Sequence, residues 1–185
     1  MNTFLSRLRE RPVLTSIAAV ALVLAAGLAI TAWTLGGSGD DDFGSEKVVN
    51  TAGGYQIMVP GDWKASQQGP TTTVTSPGKH AALTASTGNP GPLHEAGALF
   101  FQQVGRHYKD VKLTGVQGEK VGPRPALVYG GTGLNDKNVR VNFLAITIEA
   151  QPVNYAVSVF TAADSDAQQV LPRVNNIVDT FRTLQ

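Results

Sequence analysis

The chain has 185 residues, with 15 lysines and arginines against 14 aspartates and glutamates, so its formal net charge is +1. That balance lacks the basic surplus of a nucleic-acid-binding protein, and we expect no nucleic-acid partner. No cysteine is present. Cysteine nucleophiles, thiolate metal sites and lipid attachment through an N-terminal cysteine are therefore excluded.

An uncharged apolar run over residues 13–35 dominates the first part of the sequence. About 20 apolar residues cross the hydrocarbon core as a helix, so this run is long enough. Three arginines lie within residues 1–12 and three aspartates occupy positions 40–42. Positive flanks stay on the cytoplasmic side. We predict a cytoplasmic N-terminus at 1–12, a single transmembrane helix at 13–35, and everything after it outside the cell membrane.

A cleaved signal peptide is the alternative to this anchor. Signal peptides have apolar cores of about 7–15 residues that end in a small-x-small site. The run here is longer, and the triplets at 29–31 and 30–32 match that site poorly. We therefore favour an uncleaved anchor.

Residues 36–47 open with glycine, serine and aspartate, a composition too polar to order itself, and we predict a flexible linker. Its consecutive aspartates lack the spacing of a calcium-binding loop. The remaining domain, 48–185, carries 11 basic and 9 acidic side chains, a net charge of +2. We expect this domain to fold without residues 1–47.

The first half of the domain predicts three strands and a helix. Tyr55–Val59 alternates apolar and polar residues, Thr71–Thr75 is entirely β-branched, and Ala81–Ser86 forms a third strand. After a loop rich in proline and glycine, apolar residues recur at helical spacing over Leu93–Tyr108.

The second half predicts four strands and a closing helix. Val111–Val116 is a strand, and Ala126–Tyr129 and Val139–Glu149 flank a turn-rich loop at 130–138. Tyr155–Thr161 follows. Apolar residues on both faces of the strand that ends at Glu149 indicate a central position in a covered sheet.

The closing helix begins near Ser165, where Gln168 completes the spacing of a capping box. Pro172 is an unusual residue for its interior. The predicted order is β-β-β-α-β-β-β-β-α with short turns. It indicates an α+β domain in which two helices flank a mostly antiparallel sheet.

Two segments resemble the PsbP-like α-β-α sandwich family. The opening, Gly54-Tyr-Gln-Ile-Met-Val-Pro-Gly-Asp-Trp63, is similar to the family's alternating strand and Gly-Trp corner, apart from Asp62. The closing segment, Asn176-Ile-Val-Asp-Thr-Phe-Arg182, is similar to its last helix. Within the superfamily the chain resembles the LpqN-like envelope lipoproteins of actinobacteria, although it lacks their lipidated cysteine. The resemblance implies a non-catalytic accessory, binding or assembly role.

The sequence offers no set of catalytic, cofactor-binding or metal-binding residues. His80, His94 and His107 lack zinc-helix spacing, and His94-Glu95 is explained by a solvated first helical turn. The hairpin glycines lack the lysine of a phosphate loop, and no Gly-x-Ser-x-Gly elbow occurs. A carboxylate pair stays possible, because its spacing is spatial. The glutamates of the domain are Glu95, Glu119 and Glu149.

Nine aromatic residues are either core or the lining of a ligand cleft. Their strand or helix spacing favours the core for most of them. Trp63 is the best candidate for a cleft, because it follows a strand in a loop. The set is Tyr55, Trp63, Phe100, Phe101, Tyr108, Tyr129, Phe143, Tyr155 and Phe160.

These observations predict a non-enzymatic accessory or binding protein of a bacterial cell envelope. Its expected partners are the membrane, an envelope protein or a lipid-like ligand. One alternative is an envelope hydrolase that uses Asp and Glu. Another is a structural subunit that only docks on a membrane complex.

Overall fold

The computed structural model describes residues 44–161 and 165–184. The predicted cytoplasmic segment 1–12, the transmembrane helix 13–35 and the linker up to residue 43 lie outside these ranges. Across the described part of the chain, no helix is both long enough and apolar enough to cross a bilayer.

The described residues form ten strands, two α-helices and a short 3-10 turn at Pro77–Lys79. The strands are β1 Ser45–Asn50, β2 Tyr55–Pro60, β3 Lys64–Gln68, β4 Thr71–Thr75, β5 Ala81–Thr87, β6 Lys109–Val121, β7 Arg124–Leu134, β8 Arg140–Ile148, β9 Tyr155–Thr161 and β10 Arg182–Thr183. The helices are α1 Leu93–Gly105 and α2 Ser165–Asp179.

The strands build two antiparallel sheets. The large sheet has the order β3-β4-β5-β9-β8-β7-β6, and the small sheet has the order β1-β2-β10. β8 and β9 lie in the middle of the large sheet. This confirms the central position predicted for β8 from its two apolar faces.

Two hydrophobic cores lie on opposite faces of the large sheet. The α2-side core joins one face of that sheet to α2 and the small sheet, and it contains Tyr55, Phe181 and Ile146. The α1-side core lies beneath α1 on the other face, where Phe143 and Phe160 pack with Tyr129. The prediction of a mostly antiparallel sheet flanked by two helices is confirmed.

Glycines let α1 lie close to the sheet. A Cβ atom built on Gly131 falls 2.7 Å from Phe143 Cζ and 3.0 Å from Phe101, and one on Gly97 falls 2.6 Å from Tyr129. The Phe101 ring of α1 therefore lies over bare backbone of the sheet, and the Tyr129 ring of the sheet lies against bare backbone of α1. Residues 130–134 were predicted as part of a hairpin loop, but they continue β7 and pair with β8. Here the glycines make room for rings and do not form a turn.

Several predicted boundaries are wrong. β1 begins at Ser45, inside the predicted linker, and β3 was missed because Lys64–Gln68 is exposed throughout and polar apart from Ala65. α1 ends at Gly105, and Tyr108, predicted as helical, turns down to stack on Phe143 and Phe160. β6 is far longer than the predicted Val111–Val116.

Replacing Gly131 with alanine tests the close approach of α1. The added methyl group overlaps the Phe143 and Phe101 rings, so we expect Gly131→Ala to lower the free energy of unfolding by about 1–3 kcal/mol. Gly115→Ala is the matched control, because nothing lies within 4 Å of its Cβ position and the change should stay within about 0.5 kcal/mol. Denaturant unfolding of a fragment that starts at Gly44 measures both, and equal losses would contradict this packing.

Phe181 provides a second test, at the other core. Its ring is buried, stacks on Tyr55 at 5.2 Å and meets the edge of Tyr155 at 5.2 Å. We expect Phe181→Ala to lower the free energy of unfolding by roughly 3–5 kcal/mol. The same denaturant titration measures it, and a loss under about 1 kcal/mol would show that α2 and β10 do not depend on this ring.

Candidate functional site

A small groove separates α2 from the small sheet. Its volume is about 180 Å³. Strands β1 and β2 form one wall and the last turns of α2 form the other. The lining residues are Ser45, Met58, Pro60, Arg173, Asn176, Ile177 and Thr180.

The two walls of the groove are held together at Thr180. Its hydroxyl accepts a hydrogen bond from the backbone N–H of Met58 at 2.9 Å and donates to the carbonyl of Ile177 at 2.8 Å. Ile177 is buried in the α2-side core, as are Val174 and Val178 on the same helix. The groove is therefore a fixed feature, because one wall is hydrogen-bonded to the other.

Arg173 closes one end of the groove by binding the turn after β2. Its guanidinium pairs with both carboxylate oxygens of Asp62 and lies 5.6 Å above the centre of the Trp63 ring. The hydrogen bond from Arg173 lowers the pKa of the Asp62 carboxyl. The carboxylate is 45% exposed, so this pair contributes little to stability but fixes the position of the arginine.

Trp63 does not line a cleft, contrary to our prediction. The residue is 6% exposed and belongs to the α2-side core. Its indole N–H has no hydrogen-bond partner among the described residues. The loop position suggested exposure, but Arg173 covers the ring. All nine aromatics considered above pack in or against one of the two cores, so the core interpretation is confirmed for the rest.

Sequence reasoning missed the groove entirely. Its helical wall and its strand wall are more than 100 residues apart in sequence, and none of its side chains belongs to a recognisable motif. The only local signal was the polar flank of α2, where Arg173 and Asn176 lie beside the apolar stripe.

A row of hydroxyl side chains crosses the part of the large sheet beside α1, exposed at β3 and buried at β5 and β9. Ser66, Thr73, Thr84 and Ser158 form a row across β3, β4, β5 and β9. α1 packs mainly over β7 and β8, which leaves this hydroxyl row to one side of the helix. The row is uncharged and contains no nucleophile–base pair, and its Thr84 and Ser158 side chains are buried.

The titratable residues considered for catalysis are dispersed. The His94 and Glu95 side chains are exposed on α1, 3.9 Å apart, and within the described ranges no three His, Asp or Glu side chains converge as metal ligands. Glu119 lies on β6 and Glu149 follows β8. The groove is lined by no carboxylate.

Asp179, the last residue of α2, has a raised carboxyl pKa. Burial is the main cause, and the nearby Glu119 adds to it, while Arg182 opposes it. The C-terminal end of a helix also disfavours a negative charge, because the helix dipole is negative there. The pKa values of two carboxyl groups beside α2 therefore shift in opposite directions: that of Asp62, in the turn after β2, is lowered, and that of Asp179, at the C-terminal end of the helix, is raised.

Comparison with known proteins shows the fold. No protein-family profile matches the chain, and no curated protein matches its sequence. Among solved structures, cyanobacterial PsbP (CyanoP) from Synechocystis sp. PCC 6803 is 14% identical, has a TM-score of 0.54, and covers 80% of this chain and 98% of its own. The Ran-binding protein Mog1p of Saccharomyces cerevisiae is 9% identical, with a TM-score of 0.57 and coverages of 78% and 97%.

The domain therefore has the PsbP-like α-β-α sandwich fold, and that prediction is confirmed. LpqN, described as involved in cell envelope biogenesis of Mycobacterium tuberculosis, also matches, at 15% identity and a TM-score of 0.47, covering 79% of this chain and 94% of its own. Identities this low establish the fold alone, which many functions share.

Replacing each carboxyl group by an amide tests the electrostatics of α2. Because the pKa of Asp179 is raised, its charge costs stability above that pKa, and the cost disappears as the pH falls through it. Asp179→Asn should therefore stabilise the fold at pH 7, by roughly 0.3–1 kcal/mol for a charge at a helix end. Asp62→Asn should destabilise slightly, because its lowered pKa contributes stability that is lost in acid.

Thermal unfolding from pH 7 down to about pH 3 measures both variants. Asp179→Asn should converge on the wild-type melting temperature as the pH falls through the raised pKa of Asp179. The deficit of Asp62→Asn should shrink only toward the acid end of the range, because the pKa of Asp62 is lowered. If Asp179→Asn were destabilising at pH 7, burial would not be the dominant influence on that carboxyl group.

Proposed function

We propose that the chain is a membrane-anchored, extracytoplasmic accessory protein of the bacterial cell envelope that acts by binding and not by catalysis. Its anchor is the apolar run 13–35, and its working part is the PsbP-like domain. Its partner is an envelope protein that meets the groove between α2 and the small sheet.

One observation carries this proposal: the groove lies where the chain enters the domain. Ser45, the first residue of β1, is part of the groove lining. The Gly44 carbonyl accepts a hydrogen bond of 2.7 Å from the backbone N–H of Gly61, next to Pro60 in the opposite strand. The point at which the tether joins the domain, Gly44, is thus held beside the groove. With eight residues separating Gly44 from residue 35, the groove would face a partner at or near the bilayer.

The dimensions of the groove favour a protein side chain over a whole lipid. Small-molecule sites usually measure about 300–1,000 Å³, well above the 180 Å³ found here. Met58 and Ile177 provide an apolar floor, and Asn176 and Arg173 provide polar groups at the rim. This combination suits one apolar side chain of a partner, held by peripheral hydrogen bonds.

A hydrolase is the less favoured function. A glycosidase-type site needs two carboxyl groups facing each other across a substrate groove. Glu119, which adds to the raised pKa of Asp179, lies on the edge strand β6, and Asp179 lies at the end of α2; neither carboxyl group lines the groove. Docking needs no such pair.

A photocrosslinking amino acid in place of Asn176, in the full chain in intact spheroplasts, tests the proposal. We expect protease added outside to remove the domain, while the unproteolysed chain stays at 19.5 kDa with the membrane after alkaline washing. Illumination before proteolysis should yield one discrete protein adduct. The same photocrosslinker in place of the exposed Glu95, on α1, is the matched control and should not give that adduct.

Two results would contradict the proposal. A soluble product that begins near residue 33 would show cleavage and no anchor. An identical adduct pattern from positions 176 and 95 would show that the groove does not select a partner.

A charge-exchange variant is the control for the protease assay. Exchanging the charges that flank residues 13–35 should invert the orientation of the chain and protect the domain from protease, which would confirm that protease access reports topology.

A further inference from the structure

Strand β6 is an unusually open edge. Among the described strands it pairs only with β7, at the end of the large sheet. It has 13 residues, and almost all of them are partly or fully exposed. An edge strand presents unpaired backbone N–H and C=O groups that can bind another strand. β3, at the opposite end, has only five residues, and its Gln67 side chain donates to the Val49 carbonyl of the small sheet.

The middle of β6 lacks the charges that usually protect an edge. The sequence from Leu113 to Gly118 is Leu-Thr-Gly-Val-Gln-Gly, with no charged residue and no proline. Lys112 precedes this stretch and Glu119 follows it. Natural edge strands are commonly protected by lysine, proline, bulges or short length. β6 has a bulge between Leu113 and Gly115 but no proline or charge from Leu113 to Gly118, and an uncharged stretch of this length favours pairing with another strand.

A bulge places two exposed apolar side chains on one face of this edge. Residues three apart in a regular strand point to opposite faces. The register shifts between Leu113 and Gly115, so Leu113 lies opposite Gly131 and Val116 lies opposite Tyr129, both on the α1 side. Leu113 is 53% exposed and Val116 is 49% exposed. Together they extend the α1-side core to the open edge.

We propose that β6 pairs antiparallel with β6 of a second copy, around a twofold axis that passes beside Val116. Such an axis is perpendicular to the sheet, so each residue meets one from the same face. The register follows from the β7 partners. Val116 lies opposite Tyr129 of β7, so distances along β6 can be counted on β7, which has no bulge here. Lys112 lies opposite Thr132, three positions to one side of Tyr129, and Glu119 lies opposite Ala126, three positions to the other side. The axis therefore brings Lys112 of each copy opposite Glu119 of the other.

The same axis also matches side-chain size. Leu113 and Gly118 lie opposite Gly131 and Leu127 of β7, which are two positions to either side of Tyr129. The axis therefore places Leu113 of each copy opposite Gly118 of the other. Val116 faces its own copy. Opposite charges and complementary sizes in directly opposed positions stabilise a strand pair. The edge of β6 is thus complementary to itself in charge and in shape.

The geometry of the pair agrees with attachment to one membrane. An axis perpendicular to the sheet leaves α2 and the small sheet of both copies on the same face. Ser45 of each copy, where the tether joins, is on that face. If both copies are anchored, confinement to a bilayer raises their effective concentration. The pairing itself does not depend on the anchor.

Charge exchange in the full chain, purified in mild detergent, tests the register. By sedimentation equilibrium the wild type should form dimers. Glu119→Lys or Lys112→Glu alone places like charges opposite each other at two symmetric positions, and should weaken dimerisation about tenfold or more. The double exchange restores both pairs and should restore dimers. A monomeric wild type, or a double variant no better than the singles, would overturn the proposal.

Cysteine crosslinking provides an independent readout, because the chain has no native cysteine. In membranes that contain the full chain, Val116→Cys should give a covalent dimer with a short bifunctional thiol reagent. Lys64→Cys, exposed on β3, is the matched control and should not. Crosslinking through Gly115→Cys but not through Val116→Cys would show a different axis and overturn the proposed register.

Discussion

The phenol of Tyr55 joins the small sheet to the large one, and the α2-side half of the domain depends on that contact. The side chain is fully buried, and its hydroxyl donates to the Ala85 carbonyl at 2.7 Å and lies 2.9 Å from Thr72 Oγ1. Asn50 extends the network by donating to the same Thr72 oxygen at 3.0 Å. Burial raises the pKa of the phenol, so the group stays neutral and keeps its proton for the hydrogen bond.

The Tyr55 ring makes apolar contacts with two other aromatic rings, Phe181 and Tyr155. Phe181 stacks on one face, and Tyr155 meets the edge and sends its own hydroxyl to the Gly54 carbonyl at 3.0 Å. Phe181 positions β10, which pairs with β2 beside Tyr55. Because α2 leads directly into Phe181 and β10, the pairing of β10 with β2 also fixes the position of α2, and therefore that of the groove. A buried polar group is costly unless it is satisfied, so this network also specifies how the two sheets meet.

The sequence predicts those parts of the fold that rest on periodicity. Alternation in β2, the two apolar faces of β8 and the stripe of α2 are all as predicted, because each element buries its own regular face. Prediction failed where a distant contact decides. From sequence, Gly131 has the character of a turn residue, but in the structure it makes room for the Phe101 and Phe143 rings. Trp63 follows a strand in a loop, which suggested exposure, but Arg173 covers its ring. β3 is polar on both faces, so periodicity gives no signal, and its hydrogen bonds to β4 alone define it. The groove could not be predicted either, because its two walls come from segments more than 100 residues apart in sequence.

Closure of the small sheet by β10 has a consequence for the order of folding. The hydrogen bond from the Met58 N–H to Thr180 spans 122 residues, and Tyr55 receives Phe181 across a similar separation. If the chain leaves the cytoplasm through a translocation channel with residue 1 held back, β2 emerges long before residue 181 is synthesised. Throughout that interval Tyr55, Ile57 and Val59 present an uncovered apolar strand. Contacts of such long range form slowly, so this strand would need a temporary cover, either a chaperone or the large sheet itself.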